Sequence, residues 1–158
     1  MIKTSHDLPH DARADVVALL NQQLADTFDL FTQTKQAHWN VKGPHFIALH
    51  GLFDDLAGQL VGHVDTMAER ATALGGVASG TARMAAAAST LPEFPGGAIG
   101  SIPAVEALAA RFAALAKSTR EAIDTAASKG DADTADLFTG VSRDLDKALW
   151  FLEAHVQG

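Results

Sequence analysis

The stretch Phe46–Gly76, FIALHGLFDDLAGQLVGHVDTMAERATALGG, decides the fold. Its apolar residues Phe46, Leu49, Phe53, Leu56, Leu60, Val64, Met67 and Leu74 keep the period of a helix with one buried stripe, and Gly75-Gly76 stops it. With His50 at zero and 100° per residue, Asp54 falls at about 40°, Asp65 at about 60° and Glu69 at about 100°. The apolar stripe occupies roughly −40° to −120°, so this imidazole and carboxylate sector points away from the chain's own core. Acids alone on a helix are most often a solvated face. A histidine four residues before an aspartate, and an aspartate four before a glutamate, are also spacings that bring side chains together in chelating pairs.

Upstream, Leu20, Leu24, Phe28 and Phe31 give a first helix from Val17, and His38 extends its stripe before Gly43-Pro44 ends it. Downstream, Gly75 to Pro103 is rich in Gly and Pro, and only Thr81 to Ala88 reads as helical. A further helix runs through Val105, Leu108, Phe112, Leu115 and Ile123, closed by Lys129-Gly130. Asp133 then reads as the N-cap of a last helix through Leu137, Val141, Leu145, Leu149, Leu152 and Val156. Short links make the outer pairs antiparallel, and the long middle link can cross the bundle. The fold class is therefore all-α: a ferritin-like four-helix bundle with a long crossover carrying a short extra helix. A single domain is expected over 1–158, with 1–12 as a flexible N-terminal segment.

At 158 residues one compact core suffices, and 47% apolar with 20% charged residues is a soluble globular balance. No apolar run is long enough to span a bilayer, so no membrane partner is expected. With no cysteine, disulfides, thiolate metal sites and thiol catalysis are excluded, and no thiol is exposed to peroxide damage. The net charge of −7 argues against a general nucleic-acid surface and suits one that attracts cations. The chain opens with acidic Asp7, Asp11 and Asp15 and lacks a basic start followed by an apolar stretch, so a cytoplasmic location is expected.

His50 and Glu69 lie about 28 Å apart along one helix, so a single copy cannot wrap both pairs around one ion. A second copy of the helix, antiparallel across a two-fold axis, would set His50 and Asp54 of one chain opposite Asp65 and Glu69 of the other. Gly58 and Gly62 flank the midpoint of this ligand set, where missing side chains let two helices approach. Glycines in a helix cost about 1 kcal/mol each relative to alanine, and close packing is a reason to keep them. Imidazole with carboxylates suits Fe(II) and Fe(III), and zinc or manganese could occupy the same donors.

These residues carry a resemblance. His38-Trp39-Asn40-Val41-Lys42-Gly43, Phe46, His50, Phe53-Asp54, and Asp65-Thr66-Met67-Ala68-Glu69-Arg70 before Leu74-Gly75-Gly76 resemble the Dps family, or mini-ferritins. The likeness extends through Thr134-Ala135-Asp136 and Ser142-Arg143-Asp144-Leu145-Asp146-Lys147 to Trp150-Phe151. It implies a hollow dodecameric shell with ferroxidase centres at two-fold interfaces. His38, His50 and Asp54 would be ligands from one subunit, and Asp65 and Glu69 from its partner. It further implies that Fe(II) is oxidised, preferentially by hydrogen peroxide over dioxygen, and stored as ferric mineral, protecting DNA from oxidative damage. Larger ferritins use Glu-x-x-His pairs, and no glutamate here has a histidine three residues on.

In that family the tryptophan matching Trp39 lies near the iron site, where it could pass or absorb an electron; packing is an equal alternative. Trp150 reads as core packing from its apolar context. Asp131, Asp133 and Asp136 suit a helix N-terminus, and Asp136 is the pore candidate by resemblance. His6, His10, His45, His63 and His155 have no ligand spacing and read as structural or solvated. The alternative function is a nucleoid-associated DNA-binding protein with secondary iron chemistry. Basic tails serve that role in some family members; here Lys3 and Arg13 face three aspartates and the chain ends Ala154-His155-Val156-Gln157-Gly158, so weak DNA binding is expected.

Overall fold

A computed structural model describes residues 1–157, and Gly158 lies outside the described residues. Among the described residues, five helices and one two-residue bridge appear in the order α1 (His10–Asn40), β1 (Val41–Lys42), α2 (Phe46–Ala73), α3 (Ala82–Ala88), β2 (Ile99–Gly100), α4 (Ser101–Ser128) and α5 (Ala132–Glu153). The bundle pairs α1 with α2 and α4 with α5, and α1 packs against α4. Between the pairs the chain crosses the bundle, carrying α3 on the outside of α1. Among the described residues, no helix is long and apolar enough to cross a membrane.

The core follows the stripes read from the sequence. Leu20, Leu24 and Leu30 of α1 meet Phe53 and Leu60 of α2, Phe112 of α4 and Phe138 of α5, all within 1% of full burial. A fully buried side chain of this size contributes about 1.5–3 kcal/mol, so these helices hold together by packing more than by propensity. α2 ends where Gly75 adopts φ +83° and Gly76 N–H donates to Ala71 O at 2.9 Å. A Cβ on Gly76 would lie 2.8 Å from Ala71 O and collide with Val17, so α1 and the turn approach as only glycine permits.

Three boundaries differ from the sequence reading. α1 begins at His10, seven residues before Val17, so His10–Ala12 of the N-terminal segment form its first turn. Ahead of it, Ile2 N–H donates to Gly75 O at 2.7 Å, and Arg13 donates to Leu8 O and Leu74 O. α4 begins at Ser101, because Pro103 falls in the first turn, where its missing N–H costs nothing. The cap of α5 is Asp131 and not Asp133: the Asp131 carboxylate accepts from Thr134 N–H at 3.0 Å, and Asp133 sits in the first turn.

The crossover is pinned by buried polar groups. Asp26, 2% exposed, accepts from Thr90 N–H at 2.6 Å, and Asp29 accepts from Ser89 Oγ at 2.6 Å. Arg111 donates to Gln33 Oε1 and Glu93 O, with Phe94 against its guanidinium. β1 and β2 pair in parallel, Val41 with Ile99 and Lys42 with Gly100, anchoring the end of the crossover beside the α1–α2 link. Nothing in a two-residue bridge marks it in the sequence.

Candidate metal centre

The last turn of α1 and the first two turns of α2 bring His38 and His50 together, because the tight Gly43-Pro44 link folds one helix back on the other. The imidazoles stack with centroids 3.7 Å apart and planes 20° from parallel. His38 Nδ1 donates to His50 O at 2.7 Å, and His50 Nδ1 donates to His38 O at 2.9 Å. A carbonyl oxygen can only accept, so each Nδ1 carries a proton, and Nε2 is the nitrogen that each ring leaves untied. That is how metal-binding histidines are commonly oriented, with one nitrogen tied and the other free. Phe46 covers the His50 ring at 5.1 Å.

Asp54 lies one helical turn beyond His50. Its carboxylate accepts from Lys35 Nζ at 2.6 Å. The hydrogen bond from Lys35, with that residue's charge, holds the Asp54 carboxyl below the usual range, and the nearby imidazoles add to the effect. Lys35 is the residue of this cluster that the sequence reading missed. It is one turn before Trp39 on α1, and its ammonium stands 5.6 Å from the Trp39 ring centroid.

Asp65 and Glu69 are exposed farther along α2, as the helical angles indicate, and neither side chain has a hydrogen-bond or ion-pair partner among the described residues. Within one chain the described residues bring no three His, Asp or Glu groups together closely enough to hold an ion. The chain thus presents two partial sets: His38 of α1 with His50 and Asp54 near the start of α2, and two free carboxylates farther along α2. A Cβ built on Gly58 or Gly62, between them, meets nothing within 4 Å.

The fold has known counterparts. The ferritin-like domain family matches residues 17–158. A curated relative from Agrobacterium fabrum, the DNA protection during starvation protein, is 48% identical over 155 residues, covering 98% of this chain and 96% of that protein. The chain belongs to the Dps family. A Dps counterpart from Brevibacillus brevis, again a DNA protection during starvation protein, is 33% identical, with coverage of 90% and 95%. Among solved structures, DpsA14 from Streptomyces coelicolor superposes with a TM-score of 0.94 at 34% identity, covering 98% of this chain and 92% of that one. Dps from Mycobacterium smegmatis gives 0.95 at 28% identity, with coverage of 100% and 95%.

Other residues singled out in the sequence fall outside the cluster. Trp150, read from the sequence as core, is instead 62% exposed in the single chain, because its place on α5 faces away from the bundle. His63 meets Asp144 of α5 at 3.3 Å, and burial pushes its imidazole pKa down against the opposing pull of that carboxylate. His155 Nδ1 donates to Phe151 O within its own helix end. Asp136 is exposed in the first turns of α5.

Proposed function

We propose that the protein is a ferroxidase and iron store of the cytoplasm: it takes up Fe(II), oxidises it preferentially with hydrogen peroxide, and retains the ferric product in a dodecameric shell. Family membership supports iron storage and DNA protection in general terms. The observation that carries the finer reading is the reciprocal pair of Nδ1–carbonyl bonds, which leaves the Nε2 atoms of two stacked rings untied near Asp54. Neutral imidazole and carboxylate are donors that accept both ferrous and ferric iron. His38, His50 and Asp54 hold the ion from one side, and the partner chain supplies the same positions as Asp65 and Glu69 in this chain. Each pair of ferrous ions gives up two electrons to one peroxide, which takes two protons and leaves as two waters, so no hydroxyl radical is released.

Anaerobic titration with Fe(II), followed by a pulse of peroxide, tests this. The wild type should bind ferrous iron saturably and oxidise it faster with peroxide than with dioxygen, while His50→Ala and Glu69→Ala lose both properties. Unchanged binding and oxidation in the two variants would refute the assignment.

The glycines give a separate test of how two chains meet. Replacing Gly58 and Gly62 by alanine raises helix propensity by about 1 kcal/mol per position, and neither added methyl meets anything in the single chain. If a second α2 packs there, the double variant should nevertheless populate smaller species in sedimentation at low concentration. A shell as resistant to dilution as the wild type would place the contact elsewhere.

A further inference from the structure

Lys35 has a consequence that requires no metal. The two tryptophans are equally exposed in the single chain, at 62% each, but they stand in different electrostatic surroundings. Beside Trp39 the Lys35 ammonium lies 5.6 Å from the ring centroid, held there by the 2.6 Å bond to Asp54. Trp150 has a neutral neighbour, Phe151, at 5.0 Å, and Lys147 stands over Phe151. Removing one electron from an indole leaves a radical cation, which then loses its N–H proton to water. A fixed positive charge beside the ring opposes the first of these steps.

We propose that Lys35, anchored by Asp54, is a positioning residue that holds Trp39 in the reduced state and directs stray one-electron oxidation toward Trp150. The oxidant can be a hydroxyl radical, which takes the electron and leaves as hydroxide. Because the Asp54 carboxylate is present in wild type and variant alike, Coulomb's law across 5.6 Å gives the effect of removing the ammonium as roughly threefold even with water-like screening.

The test uses the intact, metal-free assembly and a neutral oxidant, so that Lys35 cannot alter the encounter by steering. Azidyl radicals at low dose take one electron from indole and become azide, and peptide mass spectrometry then compares oxidation at Trp39 with that at Trp150. Lys35→Gln should raise the Trp39 to Trp150 ratio by about threefold or more, Lys35→Arg should keep the wild-type ratio, and Lys147→Gln should not raise the oxidation of Trp39. Circular dichroism and sedimentation confirm that each variant is folded and assembled. A wild-type ratio in Lys35→Gln, or the same rise in Lys35→Arg, would overturn the proposal. Because no iron is present, either result leaves the ferroxidase assignment to its own test.

Discussion

Assemblies made only of His50→Ala chains, or only of Glu69→Ala chains, should show almost no ferrous oxidation, whereas assemblies refolded from an equal mixture of the two should regain about a quarter of their centres. The fraction follows from two-fold geometry. Half of the randomly formed pairs are mixed, and each mixed pair has one centre with both lesions and one with neither. Homogeneous pairs carry one lesion in every centre. The recovered activity should have the wild-type dependence on Fe(II), because those centres contain an unaltered ligand set. A mixture that recovers nothing would mean that each centre is built from a single chain, which the spacing of His50 and Glu69 along α2 argues against.

The second large effect is on stability. Asp131 is 4% exposed and joins two helices: it caps α5 through Thr134 N–H, accepts from Thr134 Oγ1 at 2.6 Å, and pairs with Arg70 of α2 at 2.7 Å. Burial alone would raise its pKa, but the Thr134 hydrogen bonds and the Arg70 charge more than offset this and hold the carboxyl below its usual value. Asp131→Ala removes the cap and takes from the largely buried Arg70 guanidinium its close carboxylate partner, leaving it the Thr134 hydroxyl and the more distant Asp133, so a loss of about 3 kcal/mol is expected. For a chain of this length that lowers Tm by roughly 10 °C. Asp131→Asn keeps an acceptor for the cap and should lose less. The pH dependence has a definite sign: the ionised form is favoured in the native state, so the stabilisation is complete above the ordinary value of 3.8 and lost as pH falls through the lowered native one. The Tm gap between wild type and Asp131→Asn, at matched protein concentration, should therefore hold at neutral pH and narrow in acid. A gap of the same size at pH values below the carboxylate range would show that the Arg70 pair contributes nothing.

Helix count, pairing and the outward direction of the α2 ligand sector were legible because periodicity records which face meets the core. The positions of His50, Asp54, Asp65 and Glu69 on that sector need only the angle per residue. Contacts between helices were not legible. Lys35 meets Asp54 across nineteen positions of sequence, and no local spacing announces such a partner. Three aspartates near one helix start made Asp133 as good a cap as Asp131 until Arg70, more than sixty positions away, was seen to select Asp131. Trp150 misled because an aromatic among apolar neighbours looks like core on any amphipathic helix, and the angle that turns it outward on α5 is decided by how α5 rolls against α4.

The crossed bonds between His38 and His50 also bear on how the half-site comes into being. Each ring is gripped by the main chain of the opposite helix, so neither imidazole is oriented until the α1–α2 hairpin has closed, and the hairpin cannot reopen at Gly43-Pro44 without releasing both. On the proposed assignment, closure of that hairpin and readiness for iron are one event, and a half-unfolded subunit would offer no loose imidazole clamp to scavenge cations prematurely.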